Sequence, residues 1–240
     1  MPGVAFEPCL PTRGTQVPAG PDWIHEIKHD GYRLIVQRDG ARVRLFTRNG
    51  HDWTKRYPLI VEAALRNRQT SFVIDGEAVL LGVDGRSVFN GLHYRKHDDE
   101  VQFYAFDMLV SDGEDLRKLP LTMRKTNLAR LLARPVDGIF LSDFEQGEIG
   151  PDLFRHACLM GLEGLVSKHR ESLYRGGSIP QCIALGSPSH DRFDLRRYKQ
   201  VGDKDHLKVF ANEDAWKSGL PKMIRKAWRS LMRFWTNFGR

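Results

Sequence analysis

Strand-like runs in this chain are cut at short intervals by Asp-Gly pairs, and that pattern limits the fold more than any other feature. An Asp-Gly pair can reverse a chain within two residues, because aspartate bonds its own backbone and glycine accepts a positive φ. Asp39-Gly40 separates runs at 34–38 and 42–47 and predicts a tight hairpin. Asp84-Gly85 and Asp112-Gly113 end the runs at 72–81 and 102–110, and Asp75-Gly76-Glu77 interrupts the first of these. Short strands are also expected over 139–144 and 162–168. Tyr57, Ile60, Val61, Ala64 and Leu65 recur at helical spacing, so roughly 55–67 reads as an amphipathic helix. Further helices are expected over 87–94, from an N-cap at Thr122 to about Leu132, and over 151–160 before Gly161. Residues 1–22, rich in Pro and Gly, read as an extended lead-in. Hairpins mixed with isolated helices predict an α+β fold with mainly antiparallel sheets.

Length and composition fit a globular domain with an appendage. No stretch approaches a transmembrane span, and residues 1–10 lack the charged and apolar regions of a signal peptide, so the expected compartment is the cytoplasm. Three widely spaced cysteines, Cys9, Cys158 and Cys182, support neither a disulfide framework nor a zinc knuckle. The net charge of +7 invites an inference to nucleic acid, but Lys217, Lys222, Arg225, Lys226, Arg229, Arg233 and Arg240 account for all of it. Residues 1–214 are therefore formally neutral, and total charge is no evidence for a basic groove.

Lys28-His29-Asp30-Gly31-Tyr32-Arg33 carries the strongest chemical signal. A lysine at a strand end, beside a turn and followed by an arginine, can form a covalent centre for nucleotidyl transfer. Once deprotonated, its amine attacks the α-phosphate of a nucleotide and expels pyrophosphate. Alone, the motif reads more readily as a charged strand end followed by an ordinary turn. Such chemistry needs phosphate-binding cations, carboxylates for ribose and metal, and an aromatic face for the base. Arg48 lies just past a strand in Thr47-Arg48-Asn49-Gly50, and Glu77 is embedded in an apolar strand that obliges its carboxylate to find a partner. Phe106 is a candidate stacking face, against the plainer reading of a core aromatic. Glu163 and Lys168 bracket one strand at an odd separation, which puts them on opposite faces unless the strand bends or one residue sits at its start. His93 and His97 have metal-ligand spacing, but their charged neighbours and the lack of a third ligand favour a solvated face.

In order along the chain, Glu26-Ile27-Lys28-His29-Asp30-Gly31-Tyr32-Arg33, Thr47-Arg48-Asn49-Gly50, Ile74-Asp75-Gly76-Glu77, Tyr104-Ala105-Phe106-Asp107-Met108-Leu109 and Leu162-Glu163-Gly164-Leu165-Val166-Ser167-Lys168 closely resemble the adenylation domain of ATP-dependent DNA ligases. The likeness is nearest to the bacterial ligases of end-joining repair and runs from about Glu7 to Gly177. It implies a nucleotidyltransferase fold of two mainly antiparallel sheets flanked by helices, with ATP between the sheets. It implies that Lys28 becomes adenylated, that Glu26 and the Ile27 backbone read the adenine edge, and that Arg33 and Arg48 hold ribose and phosphates. By the same resemblance Glu77 bonds the ribose, Phe106 stacks on adenine, Glu163 supports Mg2+, and Lys168 belongs to Glu163's motif. The implied activity moves AMP from lysine to a 5′-phosphate of nicked or broken double-stranded DNA, which a 3′-hydroxyl then seals, in repair and recombination. RNA ligases and capping guanylyltransferases share the lysine chemistry; the Glu26 context and the motif wording favour the DNA ligase.

Two departures stand beside the resemblance. After Tyr174-Arg175-Gly176-Gly177 the family pattern has a Trp-apolar-Lys-apolar-Lys strand whose lysines contact the α-phosphate, whereas this chain reads Ser178-Ile179-Pro180-Gln181-Cys182-Ile183-Ala184-Leu185-Gly186. The family's OB barrel has no visible counterpart in the residues that follow. The expected organisation is an adenylation domain over 1–177, a divergent and poorly ordered segment over 178–214, and a basic amphipathic helix over 215–240. Impaired turnover, or a non-catalytic ATP- or DNA-binding remnant of a ligase, is the alternative these departures leave open.

Overall fold

A computed structural model describes residues 6–82 and 85–187. Fifteen elements follow in chain order: β1 (Cys9–Arg13), β2 (Trp23–Lys28), β3 (Tyr32–Asp39), β4 (Arg42–Thr47), α1 (Pro58–Arg66), β5 (Ser71–Val79), α2 (Phe89–His93), β6 (Gln102–Ser111), β7 (Glu114–Asp115), α3 (Leu121–Leu131), β8 (Ile139–Leu141), β9 (Phe144–Gln146), α4 (Gly150–Leu159), β10 (Gly164–His169) and β11 (Gly177–Gly186). The strands form two sheets. One runs β1-β11-β10-β2-β9; the other runs β4-β3-β5-β6-β7, with β8 beside β6. Only the β1–β11 and β6–β8 pairings are parallel, so the expected α+β class with mainly antiparallel sheets is what forms.

The chain crosses from the first sheet to the second between Lys28 and Tyr32. β3 then buries side chains on both faces. Leu34 and Val36 join Phe72 and Ile74 of β5 in a core covered by Ile60, Ala63 and Ala64 of α1 and by Leu128 and Leu131 of α3. Ile35 and Val73 lie in a separate cluster with Leu109, Val110 and Tyr174. Leu153 and Ala157 of α4 pack on Leu165 of β10 and on Ile27 of β2. Arg124, on α3, is 2% exposed yet satisfied: its guanidinium holds both Asp107 oxygens and donates to the carbonyls of Leu119 and Ser172.

Four local expectations change. Asp75-Gly76 does not break its strand, because β5 continues to Val79 and absorbs the irregularity as register shifts against β6. Pro120, not Thr122, caps α3; its fixed φ suits the helix entrance, and no side-chain cap bond is made there. The run at 139–144 divides into β8 and β9, which belong to different sheets. Residues 178–186, expected to be poorly ordered, form most of β11 between β1 and β10. Pro180 and Cys182 hid this strand: the register jumps from Pro11↔Ile179 to Thr12↔Ile183, so 180–182 form a bulge that breaks the alternation and tolerates a proline. Residues 188–214, the basic tail at 215–240 and residue Asp84 lie outside the described residues.

Gly76 lies on β5 directly against the β6 backbone. A Cβ there would stand 2.4 Å from the Tyr104 carbonyl oxygen and 2.9 Å from the Ala105 Cα. Because backbone must yield, Gly76→Ala is expected to lower unfolding stability by about 2 kcal/mol, read as a lower urea midpoint at unchanged slope.

Candidate active site

Lys28 ends β2 opposite Gly164, and its ammonium is ion-paired with Glu163. Glu163 precedes β10 rather than lying within it. Gly164 has φ +147, and a Cβ there would meet the Leu185 carbonyl oxygen at 1.9 Å. This position, open only to glycine, turns Glu163 toward Lys28 although strand alternation would send it the other way. Of the two geometries that would let Glu163 and Lys168 serve one site, the residue at the strand start is the one adopted. Ile27, one residue earlier than Lys28, packs against the α4 cluster, so its side chain belongs to the opposite face.

Behind Lys28 lies a buried charge cluster. Glu26, 3% exposed, is ion-paired with Lys125 of α3 and, at 2.7 Å, with Lys168 of β10. Burial works to raise the Glu26 carboxyl, but the two ammoniums outweigh it and hold it below the usual range. Burial pulls Lys125 down, whereas at Lys168 the attraction of Glu26 overcomes burial and raises it. Lys125 also donates to the Phe106 carbonyl at 3.1 Å. The Phe106 ring has Lys168 Nζ 4.2 Å and the Arg33 guanidinium 4.3 Å from its centroid. A base that stacks on this ring must therefore take the place of one cation.

Arg33 reaches Phe106 from β3, but its guanidinium forks onto Asp75, with bonds of 2.5 and 2.6 Å. Its Nη2 also donates to the Cys9 carbonyl at 3.1 Å, and Asp75 raises its pKa against the pull of burial. Tyr174 donates to the same Asp75 carboxylate at 2.7 Å, while the Cys9 amide donates to the Tyr174 hydroxyl at 3.1 Å. Arg33 is thus a cross-sheet clamp as well as a cation beside the site. Glu77 stands opposite Arg33 in the β3–β5 register. Arg48 follows Thr47, which pairs with Leu34, so it leaves the sheet at the same end as Arg33; it is exposed and in no ion pair among the described residues. The His29 ring lies against Tyr104, with centroids 4.6 Å apart and the planes tilted by 32°. Burial pushes the His29 imidazole down to about 4 and the Tyr104 hydroxyl up to about 12.

Sequence reasoning missed Lys125, Asp75, Tyr174 and the His29–Tyr104 ring contact. A signal for Lys125 existed: with Arg124 it lies on the stripe that includes Leu121 and Leu128, and paired cations on an apolar stripe require buried partners. His97 pairs with Glu100 at 2.7 Å, and no group of three potentially ligating side chains occurs among the described residues. A cavity of about 640 Å³ lined by Arg44, Trp53, Arg56 and Arg95, among others, includes none of the expected site residues.

β11 lies directly beside this centre. Gly186, Gly164 and Lys28 form one row across the sheet, and Ala184, Val166 and Glu26 form the row two positions on. The strand facing the site is present but offers no ammonium there.

Residues 15–180 match the family model described as the ATP dependent DNA ligase domain. That is well over half of the chain, and the chain belongs to this family. It is 33% identical over 204 residues to the multifunctional non-homologous end joining protein LigD of Pseudomonas aeruginosa, covering 83% of this chain and 24% of that protein. It is 35% identical over 186 residues to the Mycobacterium tuberculosis end-joining DNA repair protein LigD, covering 76% and 24%. The chain thus spans about a quarter of the length of these relatives. The crystal structure of the ligase domain from M. tuberculosis LigD superposes with a TM-score of 0.66 at 32% identity, over 75% of this chain and 60% of that one. A mycobacterial DNA ligase D complexed with ATP and MES gives 0.65 at 32%, over 74% and 59%. The fold is therefore that of the ligase adenylation domain, as the motif order implied.

Two outcomes are expected from the charge cluster. Glu26→Gln strands two buried ammoniums and should cost about 3 kcal/mol of stability, whereas Lys125→Met leaves the Glu26–Lys168 pair intact and should cost about 1 kcal/mol; denaturant unfolding measures both. With His29 near 4 when folded and near 6.5 when unfolded, the unfolded chain binds the extra proton in between. Stability should then fall as pH drops from 6.5 toward 4, by at most about 3 kcal/mol, and His29→Gln should flatten that slope in melts across the window.

Proposed function

We propose that the chain is an ATP-dependent DNA ligase-type adenylyltransferase that forms a lysyl-AMP intermediate for nick sealing in repair and recombination. The observation that carries the reading is Lys28 at the end of β2, held by Glu163 and backed by the Glu26, Lys168, Phe106 and Arg33 cluster. The Glu163 carboxylate is the bonded acceptor for the proton Lys28 must lose. The freed Nζ attacks the α-phosphorus of ATP, an N–P bond forms, and the α–β bridging P–O bond breaks to release pyrophosphate. A 5′-phosphate oxygen of nicked or broken double-stranded DNA then takes AMP from Lys28, and the 3′-hydroxyl displaces AMP to close the backbone.

The remaining roles follow the same reading. Phe106 stacks on adenine, displacing Arg33 or Lys168 from its ring; Glu26, already held by two lysines, braces the Ile27 backbone that reads the base edge. Arg33, Arg48 and Glu77, grouped at one end of the second sheet, serve ribose and phosphates. Mg2+ would neutralise phosphate charge during transfer. With no group of three ligating side chains among the described residues, a Glu163 carboxylate beside Lys28 suits an ion carried largely by the triphosphate and water, as magnesium usually is, rather than a protein cage. Among the described residues no helix is long and apolar enough to cross a membrane. The cytoplasm is the compartment this reading implies.

The lysine-free Ala184–Gly186 segment supports a second reading, a remnant that binds ATP or DNA without forming the adduct. Incubation with α-labelled ATP and magnesium separates the two. The intact chain should retain acid-precipitable label, Lys28→Ala should retain none, and an unlabelled intact chain that still binds ATP would favour the remnant. Gly186→Lys has room, since a Cβ there lies 3.9 Å from its nearest atom, the Glu163 carbonyl oxygen. One added ammonium aimed at the α-phosphate should raise the labelling rate by about tenfold, a gain of roughly 1.4 kcal/mol in transition-state stabilisation.

A further inference from the structure

The cavity of about 640 Å³ lies at the free edge of β4, framed by the 52–56 segment and the loop after α2. Arg44, Lys55, Arg56 and Arg95 line it against one carboxylate, Asp52. Asp98, which holds Arg56 and Arg95, still leaves two positive charges in excess. The neutral total of residues 1–214 hides this local surplus, because acids elsewhere balance it. Arg56 is the fixed cation of the group. Its side chain is 10% exposed, and the Trp53, Tyr57 and Tyr32 rings stand 4.2, 5.0 and 5.5 Å from its guanidinium. Its Nε donates to Asp98 at 3.2 Å and its Nη2 to the Leu92 carbonyl at 2.6 Å. A guanidinium has five N–H donors, so three are left without a partner among the described residues. A held guanidinium with unspent donors at a cavity wall suits phosphate oxygens. Lys55 is exposed and in no ion pair among the described residues. Arg95 reaches the wall from a left-handed backbone, φ +56, which a non-glycine residue keeps only where its surroundings impose it. The backbone adds a donor. Leu45 gives its amide to Thr54 Oγ1 and accepts from the Trp53 amide, and Thr47 is bonded to His51 and Gly50. Strand alternation points the Val43 amide off the same edge, into the cavity that Val43 lines. One open residue is too short an edge for an added peptide strand, but it suits a phosphate oxygen.

We propose that this cavity docks the phosphate backbone of duplex DNA a few nucleotides from the break, as a DNA contact separate from the nucleotide centre at Lys28. For the identity of the polyanion the proposal rests on the ligase reading above. β4 carries Arg44 and ends at Thr47, and Arg48 of the nucleotide centre follows at once. Four residues of extended chain span at most about 13 Å, the rise of about four nucleotides of one DNA strand. Arg56 supplies the fixed fork, Lys55 and Arg95 add charges that displace counterions, and the Val43 amide takes one more phosphate oxygen. Contacts of this kind set register and orientation on the duplex and read no sequence.

The test uses the full chain and a short fluorescent duplex, nicked and 5′-phosphorylated, without ATP or magnesium, and reads anisotropy across a salt series. Lys55→Gln with Arg95→Gln, both exposed positions, should weaken binding about tenfold at low salt. The slope of log affinity against log salt should fall by about 1.8, for two phosphate contacts at about 0.9 each. Arg130→Gln with Arg155→Gln removes the same charge from α3 and α4 and should change affinity by less than about twofold. The basic tail is common to all three chains, so it drops out of the comparison. An acetylating reagent should modify Lys55 in the free chain and spare it in the complex, as read by peptide mass. Equal losses in the two double variants would reduce the effect to net charge. Lys55 acetylated equally with and without the duplex would mean that no strand lies in the cavity. Shielding of Lys55 by inorganic pyrophosphate as complete as by the duplex would make this a small-anion site. Each of these three results overturns the proposal. Because ATP is absent, the assay does not depend on labelling of Lys28. A chain that takes no label yet loses affinity in the cavity variant keeps this site and loses the adenylyltransferase reading, and a labelled chain whose two double variants bind alike does the reverse.

Discussion

One carboxylate, Glu26, ties the two halves of this structure together. It lies on the first sheet and holds a lysine of α3, the helix that covers the second sheet, and a lysine of β10. A buried anion between two cations is tolerable only because each charge answers another, and it leaves little freedom in how the layers meet. Phe106 shares the arrangement, with its carbonyl on Lys125 and its ring against Lys168 and Arg33. Changing the carboxylate therefore disturbs a helix, two strands and an aromatic face together.

Lys28 gains its position from the same architecture. The chain leaves the first sheet immediately after it and enters the second at Tyr32, so the lysine stands at the crossing. Glu163 reaches it only because Gly164 adopts a backbone conformation closed to other residues. On the far side, the Arg33–Asp75–Tyr174 network joins both sheets through the Cys9 backbone. Rigidity of this kind suits the proposed function, in which the centre holds a nucleophile and a phosphate in line.

Much of the fold was legible because local signals agreed with it. The Asp39-Gly40 hairpin, the α1 stripe and the aromatic strand β6 need little beyond turn chemistry and periodicity. Legibility failed where tertiary pairing overrode those signals. Asp75-Gly76 resembles a turn, yet Gly76 serves a close strand approach. β11 carries a proline and irregular burial, yet pairing on both sides makes it a strand. The run at 139–144 is continuous in sequence but is shared between two sheets.

What the sequence alone determined is the order of motifs around Lys28, and with it family and fold class. Such motifs are local: a lysine, its turn and its arginine lie within six residues. Only the tertiary structure decided that Glu26 is held by two lysines, that Asp75 engages Arg33, and that Tyr174 donates to the same Asp75 carboxylate. Those contacts join residues distant in the chain, and no local pattern encodes which buried charge another will face. Burial makes each such pairing obligatory, but packing chooses the partner.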